Sequence, residues 1–97
     1  MTRPLDGVRV LDLSRLFPGP YATLLLSDLG AEVIKVEDPN GGDYIRYFPP
    51  FCGDGSGAPF HALNRGKKSI ALDLRPDSGK ETFRAMLSSV DVVVESF

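Results

Sequence analysis

Short runs rich in Val, Leu and Ile, each followed by apolar residues at helical spacing, restrict this chain more than any other feature. Val8 to Leu13 is brief and mostly aliphatic, as suits a strand buried on both faces of a parallel sheet. Ser14-Arg15-Leu16-Phe17-Pro18-Gly19-Pro20 reads as the turn that follows it. Pro20 fits the first turn of a helix, where its missing N–H does no harm. Tyr21, Leu24, Leu25 and Leu29 recur at helical spacing, and Gly30 stands where a left-handed C-terminal cap is wanted. Ala31 to Val36 is β-branched and short, so it reads as a second strand. So short a link from the helix makes this a βαβ unit with parallel pairing.

The pattern then repeats. Lys68 to Leu74 reads as a third strand, and Arg75-Pro76-Asp77-Ser78 as the turn into a second helix. Ser78 and Glu81 have the spacing of a capping box, Phe83, Met86, Leu87 and Val90 supply an apolar stripe, and Val92-Val93-Val94 is a fourth buried strand. From Glu37 to Gly66 the chain gathers its turn formers, including Pro39-Asn40-Gly41-Gly42-Asp43, Pro49-Pro50 and Gly53-Asp54-Gly55-Ser56-Gly57. This connection has no clear periodicity and is expected to be a functional loop. The order β-α-β, long loop, β-α-β predicts an α/β fold, Rossmann-like, with a parallel sheet that binds ligands beyond the carboxyl ends of its strands. Two helices would leave one face of four parallel strands bare, so further sequence or an intimate partner chain is expected to cover it.

Composition narrows the function classes. A length of 97 residues allows one small domain or part of one, and 42% hydrophobic with 25% charged residues excludes disordered, collagen-like and coiled-coil classes. A net charge of -2 gives no field that would gather nucleic acid or an anionic membrane surface. No apolar run reaches the length of a signal peptide core or a membrane span. Cys52 is the single cysteine and excludes an internal disulfide, which fits a cytoplasmic protein. His61, the only histidine, has no Cys, His or carboxylate cluster beside it in the sequence, so it is expected to be structural and no metal is expected. Cys52 lacks a paired histidine and is no nucleophile candidate on this reading.

Three blocks carry a more specific signal: Pro4 to Leu13, then Pro18-Gly19-Pro20-Tyr21-Ala22 through Asp28 to Glu37, and Asn64-Arg65-Gly66-Lys67-Lys68-Ser69-Ile70-Ala71-Leu72-Asp73-Leu74. Together they resemble the superfamily of class III acyl-CoA transferases and α-methylacyl-CoA racemases. The ending Asp91 to Phe97 is similar to the point where those proteins run on into a Pro-Gly loop. The resemblance implies that residues 1–97 are the amino-terminal part of a Rossmann-like domain that binds coenzyme A. It further implies a smaller second domain, an interlocked homodimer, and acyl-CoA and carboxylic acid substrates. Transferases of this kind use an aspartate nucleophile and racemases a His and an Asp, all expected beyond position 97. The 97-residue chain alone is therefore expected to be inactive and, with its sheet uncovered, marginal or self-associating.

Carried over residue by residue, the resemblance implies coenzyme contacts at Phe17 and Pro18 on the first turn, and at Leu72, Asp73, Leu74 and Arg75 at the end of the third strand. It implies contacts also at Ser96 and Phe97 after the fourth. Arg75 is the expected phosphate ligand, because a guanidinium forks onto phosphate oxygens. Asp38 departs from the pattern: many relatives carry Arg there, and an aspartate repels phosphate. Arg46, Lys67 and Lys68 are the possible replacements, each otherwise read as part of a solvated basic face.

Pro18-Gly19-Pro20 is somewhat racemase-like, whereas the long loop with Asn64-Arg65-Gly66-Lys67-Lys68 favours a CoA transferase. A nicotinamide-binding domain is a rival, with Glu37 or Asp38 as the ribose ligand, but the turn holds one glycine where that fingerprint needs three. A non-catalytic interaction domain with a nucleotide-type fold is the alternative from another class.

Overall fold

Four parallel strands, β1 (Arg9–Asp12), β2 (Glu32–Glu37), β3 (Lys68–Ala71) and β4 (Val92–Val94), lie in the order β3-β2-β1-β4 in the computed structural model, which describes residues 2–97. The register sets Val10 beside Val33 and Val92, Leu11 beside Ile34 and Val93, and Asp12 beside Lys35 and Val94. Because side chains alternate along a strand, Val10 and Val33 share one face and Leu11 and Ile34 the other.

The helices α1 (Pro18–Asp28) and α3 (Asp77–Leu87) take opposite faces. On the first, Val10, Ala31 and Val33 form a core closed by Leu26 of α1 together with Leu5, Val8 and Val94. On the second, Leu11, Leu13 and Val36 pack with Ile34, Ile70, Leu72 and Leu74 under Phe83 and Met86 of α3. The expectation of a bare face is therefore corrected: both faces are covered at the central strands β1 and β2, and the uncovered apolar surface lies at the edge. Val92 and Val93 of β4 remain 39% and 43% exposed, because two helices of 11 residues each reach across the middle of the sheet but not its margins.

Local chemistry explains the boundaries. Helix α1 begins at Pro18, one turn-residue pair earlier than Pro20, with prolines in its first turn and Gly30 at φ 111° just beyond its end. The amides of Leu29 and Gly30 donate to the carbonyls of Leu25 and Ser27, as a glycine-terminated helix requires. The capping box expected at Ser78 and Glu81 does not form. Pro76, with φ at -76°, occupies the cap position and starts α3 at Asp77, so Ser78 falls inside the first turn and no side chain caps the end. The third strand ends at Ala71, earlier than Leu74, and the Leu72 amide makes its last bond to β2, to the Glu37 carbonyl at 3.0 Å.

The long connection is more ordered than its composition suggests. It holds a 3₁₀ turn, Tyr44–Tyr47, and a short helix α2 (Ala58–Asn64), with a hairpin between them closed by a bridge from Phe51 to Gly57. Asp43 caps the 3₁₀ turn through its side chain. Ile45 and Phe60 are buried and anchor the two segments. One buried apolar anchor per segment sets no period, which is why neither element is visible as a pattern in the sequence. No helix among the described residues is long and apolar enough to cross a membrane.

Helix α3 is seated at a single close approach. A Cβ at Gly79 would overlap the backbone carbonyl oxygen of Asp73, which belongs to the turn leaving β3. Gly79→Ala must push the start of α3 off that turn, and overpacking of this kind costs about 1–3 kcal/mol. Thermal unfolding of the full-length protein should show a lowered midpoint; an unchanged midpoint would show that the seat is loose.

Candidate functional site

The α1 side of the sheet changes character along its length. Val10 and Val33 give way, two residues on, to Asp12 and Lys35, neighbours in the β1–β2 register and both fully buried. Burying charge is costly unless each group is paired and hydrogen-bonded, and every one of these groups is. Asp12 accepts from the amide and hydroxyl of Ser14, from the Thr23 hydroxyl at 2.5 Å and from Lys67 Nζ at 3.2 Å. Lys67 also donates to the Pro20 carbonyl at 3.0 Å and to Asn64 Oδ1 at 2.9 Å. Burial pushes the Lys67 amine below its ordinary value, against the pull of Asp12.

Lys35 Nζ lies 2.8 Å from Asp43 Oδ2 and 3.0 Å from the Ser14 carbonyl oxygen, with both side chains of the ion pair essentially without solvent contact. The other oxygen of Asp43 accepts from the amides of Leu16 and Ile45, each at 3.1 Å. Leu16 has φ 70°, a left-handed conformation that strains a branched residue. The Asp43 carboxylate holds it there. The Asp43 amide in turn donates to Glu37 Oε1.

Glu37 takes a two-pronged ion pair from Arg46, at 2.8 and 2.7 Å, and a hydrogen bond from Ser69. Burial pushes this carboxyl up, but the hydrogen bonds from Arg46, Ser69 and Asp43, with the Arg46 charge, outweigh it and hold the group at about 2. The Arg46 guanidinium also lies over the Phe60 ring, 3.8 Å from its centre.

Over this charged floor opens a cleft at the carboxyl ends of the strands. Its walls come from Leu13, Ser14 and Arg15 after β1, Val36 to Asp38 at the end of β2, the Gly42–Asp43 turn, Leu72 to Arg75 after β3, and Phe97. Leu13, Val36, Leu72, Leu74 and Phe97 make an apolar lining for a flat or aliphatic group, and charges stand at the mouth.

Six of the residues singled out from the sequence meet at this cleft: Asp38, Leu72, Asp73, Leu74, Arg75 and Phe97. Phe17 and Pro18 do not line it. They start α1, where Phe17 is half exposed and lies edge-on to Phe48 at 6.2 Å. Ser96 stands beside the cleft and accepts a hydrogen bond from the Arg15 amide. Arg75 is not an unattached cation: its guanidinium bonds Asp73 at 2.8 and 3.3 Å and lies 3.7 Å from Asp38. Hydrogen bonds from Arg75 hold the Asp73 carboxyl below its ordinary range.

Two expectations for the basic residues need correction. Arg46 and Lys67 are not part of a solvated basic face: the first is committed to Glu37 and the second, buried, to Asp12. Only Lys68 is largely solvated, 3.7 Å from Glu32. Arg15, which sequence reasoning passed over, is the cleft cation that has no carboxylate within ion-pair distance among the described residues; it donates to the Tyr44 hydroxyl at 3.2 Å and lies over that ring. Its position in the turn directly after β1 was the available signal.

His61 also proves not to be isolated. The hairpin between Phe51 and Gly57 folds back on α2 and brings Cys52 and Asp54 to His61, with one ligand atom of each within 4.8 Å of the others. The sequence hid this grouping because the turn reverses the chain between residues that look merely adjacent.

Comparison with known proteins gives consistent matches over almost the entire chain. The model of CoA-transferase family III matches residues 5–97. The succinyl-CoA:mesaconate CoA-transferase of Haloarcula hispanica is 52% identical over 97 residues, covering 96% of this chain and 24% of that protein. The human succinyl-CoA:glutarate CoA-transferase is 46% identical over 96 residues, covering 98% of this chain and 22% of that protein. A crystal structure of a CAIB/BAIF family protein from Brucella suis superposes with a TM-score of 0.90 at 44% identity, covering 100% of this chain and 26% of that one. The chain thus spans about a quarter of the length of these relatives.

The Glu37 cluster makes a pH signature. Its carboxyl sits at about 2 in the fold against an ordinary value of 4.5. A depressed acid contributes stability that is complete above the unfolded value and lost as pH falls toward the folded one. That contribution is about 3 kcal/mol above pH 4.5 and disappears between 4.5 and about 2. Glu37→Gln should lower stability at neutral pH and flatten the loss over that acid window, as measured by denaturant unfolding across pH. A wild-type slope retained in the variant would mean that other carboxylates govern acid unfolding.

Proposed function

The chain belongs to CoA-transferase family III, and from that membership we propose that the protein moves coenzyme A between an acyl-CoA and a free carboxylic acid, with residues 1–97 forming part of its coenzyme-binding domain. The observation that carries this reading is the cleft itself, apolar along its sides and lined by the guanidinium groups of half-buried Arg15 and exposed Arg75, at the strand ends where an α/β sheet of this winding holds nucleotides. Relatives whose names pair succinyl-CoA with mesaconate or glutarate support a dicarboxylic acid as one partner.

In this reading the adenosine end of the coenzyme lies against Leu72 and Leu74, near the turn at Phe17 and Pro18 and the end at Ser96 and Phe97. Arg15 and Arg75 receive its phosphates. Asp38 and Asp73 compete for Arg75, so binding requires the guanidinium to exchange carboxylate oxygens for phosphate oxygens. The exchange is feasible because Arg75 is 66% exposed and pivots without desolvation.

The carboxylates of the cleft are poor acyl acceptors. Glu37, Asp43, Asp73 and Asp38 are each within ion-pair distance of a cation, and a paired carboxylate is a weakened nucleophile. We therefore assign the acyl-carrying aspartate to the remainder of the protein. The exposed β4 edge, and Tyr21, Leu25 and Leu29 along one side of α1, are 39% to 55% exposed. They suit burial in a homodimer, in keeping with the interlocked assembly the resemblance implies. A lone cysteine fits a reducing, cytoplasmic setting.

Transfer of isotopically labelled CoA from succinyl-CoA to mesaconate or glutarate, measured on the full-length protein, tests the activity; no transfer to any carboxylic acid would overturn it. Within that assay, charge-assisted bonds to phosphate contribute about 1.5–3 kcal/mol, so Arg75→Ala or Arg15→Ala should weaken CoA about ten- to a hundredfold in calorimetry. Asp38→Arg should tighten it, and less so for dephospho-CoA if position 38 faces the 3′-phosphate. Unchanged affinity in all three variants would remove the nucleotide from these strand ends.

A further inference from the structure

The hairpin outside the cleft carries a second arrangement of chemically active groups. We propose that Cys52, Asp54 and His61 form a binding site for a zinc-class transition-metal ion on the outer surface of the long connection.

The donor set is the first argument. One thiol, one imidazole and one carboxylate are the three ligand types that zinc takes, and a borderline-soft ion is favoured over magnesium or calcium by the sulfur and nitrogen. Geometry is the second. His61 Nε2 and Asp54 Oδ2 are 3.4 Å apart, long for a hydrogen bond. Two ligands bonded to one zinc ion at about 2.0–2.1 Å with a tetrahedral angle are separated by about 3.4 Å. All three donor atoms fall within 4.8 Å of one another. Cys52 is exposed, so rotation of its side chain can close the remaining distance.

The third argument is that the ligands are held. The Cys52 amide donates to the Ser56 carbonyl at 2.8 Å and the Gly55 amide to the Cys52 carbonyl at 3.0 Å, which fixes the turn. The Ser56 amide and hydroxyl bind Asp54 Oδ1 at 3.0 and 2.6 Å and leave Oδ2 facing the histidine. Those bonds also hold the Asp54 carboxyl below its ordinary value, in its charged form. His61 is carried by α2 and packs edge-on against the buried Phe60 at 5.6 Å. Supporting bonds that orient the ligands are what distinguish a site from a chance grouping.

Binding is an exchange of a proton for the ion. Ser56 Oγ lies 2.6 Å from His61 Nε2 and already donates to Asp54, so it accepts the proton on that nitrogen. The metal takes Nε2 of a neutral imidazole, whose one proton then stands on Nδ1, and displaces the thiol proton of Cys52, which is released to solvent; a water completes the fourth position. Affinity therefore falls as pH is lowered. The ion would tie the 51–57 hairpin to α2 and, through the Gly57 amide bonded to the Arg46 carbonyl, stiffen the segment that carries Arg46 to Glu37.

Cobalt(II) titration of the chelator-treated full-length protein tests this, because a thiolate bound to tetrahedral cobalt gives a near-ultraviolet charge-transfer band together with visible d–d bands. One equivalent should saturate the band, and zinc should bleach it. Cys52→Ser should remove the charge-transfer band, and His61→Ala should weaken cobalt and zinc at least about tenfold, the size of effect seen when a supporting or ligating group is lost. All three side chains sit on the surface, and circular dichroism checks that each variant stays folded. A folded wild-type protein that develops no thiolate band at stoichiometric cobalt, or a band that survives Cys52→Ser, would overturn the assignment.

Discussion

Lys35 and Asp43 form an ion pair with almost no solvent contact beneath the cleft, and the geometry of the strand ends depends on it. A buried pair of this kind contributes little net stability, since desolvation cancels much of the attraction, but removing either partner strands a charge and costs several kcal/mol, roughly 3–5. The pair therefore acts as a constraint on shape. Lys35 grips the Ser14 carbonyl while Asp43 grips the amides of Leu16 and Ile45. One contact thus joins the turn after β1, the end of β2 and the start of the long connection. The strained backbone at Leu16 is held by the bond from its amide to the Asp43 carboxylate, which the Lys35 ion pair fixes in turn.

Two further ion pairs extend the same arrangement. Asp12 with Lys67 joins β1 to the segment entering β3, and Glu37 with Arg46 joins the end of β2 to the 3₁₀ turn. The α1 side of the sheet is thus apolar where it supports the fold and ionic where it forms the floor of the cleft. This division has a functional consequence. Because the buried cations are committed to carboxylates, the proposed recognition of an anionic ligand rests on the other two guanidinium groups of the cleft, Arg15 and Arg75. Arg15 is braced by the Tyr44 ring, and Arg75 is checked by Asp73 and Asp38. In the proposed reading an aspartate at 38 still leaves Arg75 for the phosphate, and it lies 3.7 Å from that guanidinium.

The same lattice links the hairpin to the cleft. Gly57 has no room for a side chain because its position is pressed against the carbonyl of Phe48, and its amide bonds Arg46. The hairpin that carries Cys52 and Asp54 is in this way joined through the backbone to Arg46, the residue paired with Glu37.

The strands, the α1 and α3 helices, the parallel pairing and the family were all legible in the sequence, because they rest on local periodicity and on motifs such as Pro18-Gly19-Pro20 and Asn64 to Leu74. The cleft residues Leu72 to Arg75 were legible through the resemblance, whose motif places them at the end of the third strand. Partners were not. Arg46 reads as a surface base until the chain folds it onto Glu37, Lys67 reads as solvated until β3 carries it under α1 to Asp12, and His61 reads as solitary until the hairpin returns Cys52 and Asp54 to it. Periodicity determines which residues face inward, whereas the identity of the charge each one meets is a long-range property that only the tertiary structure decides.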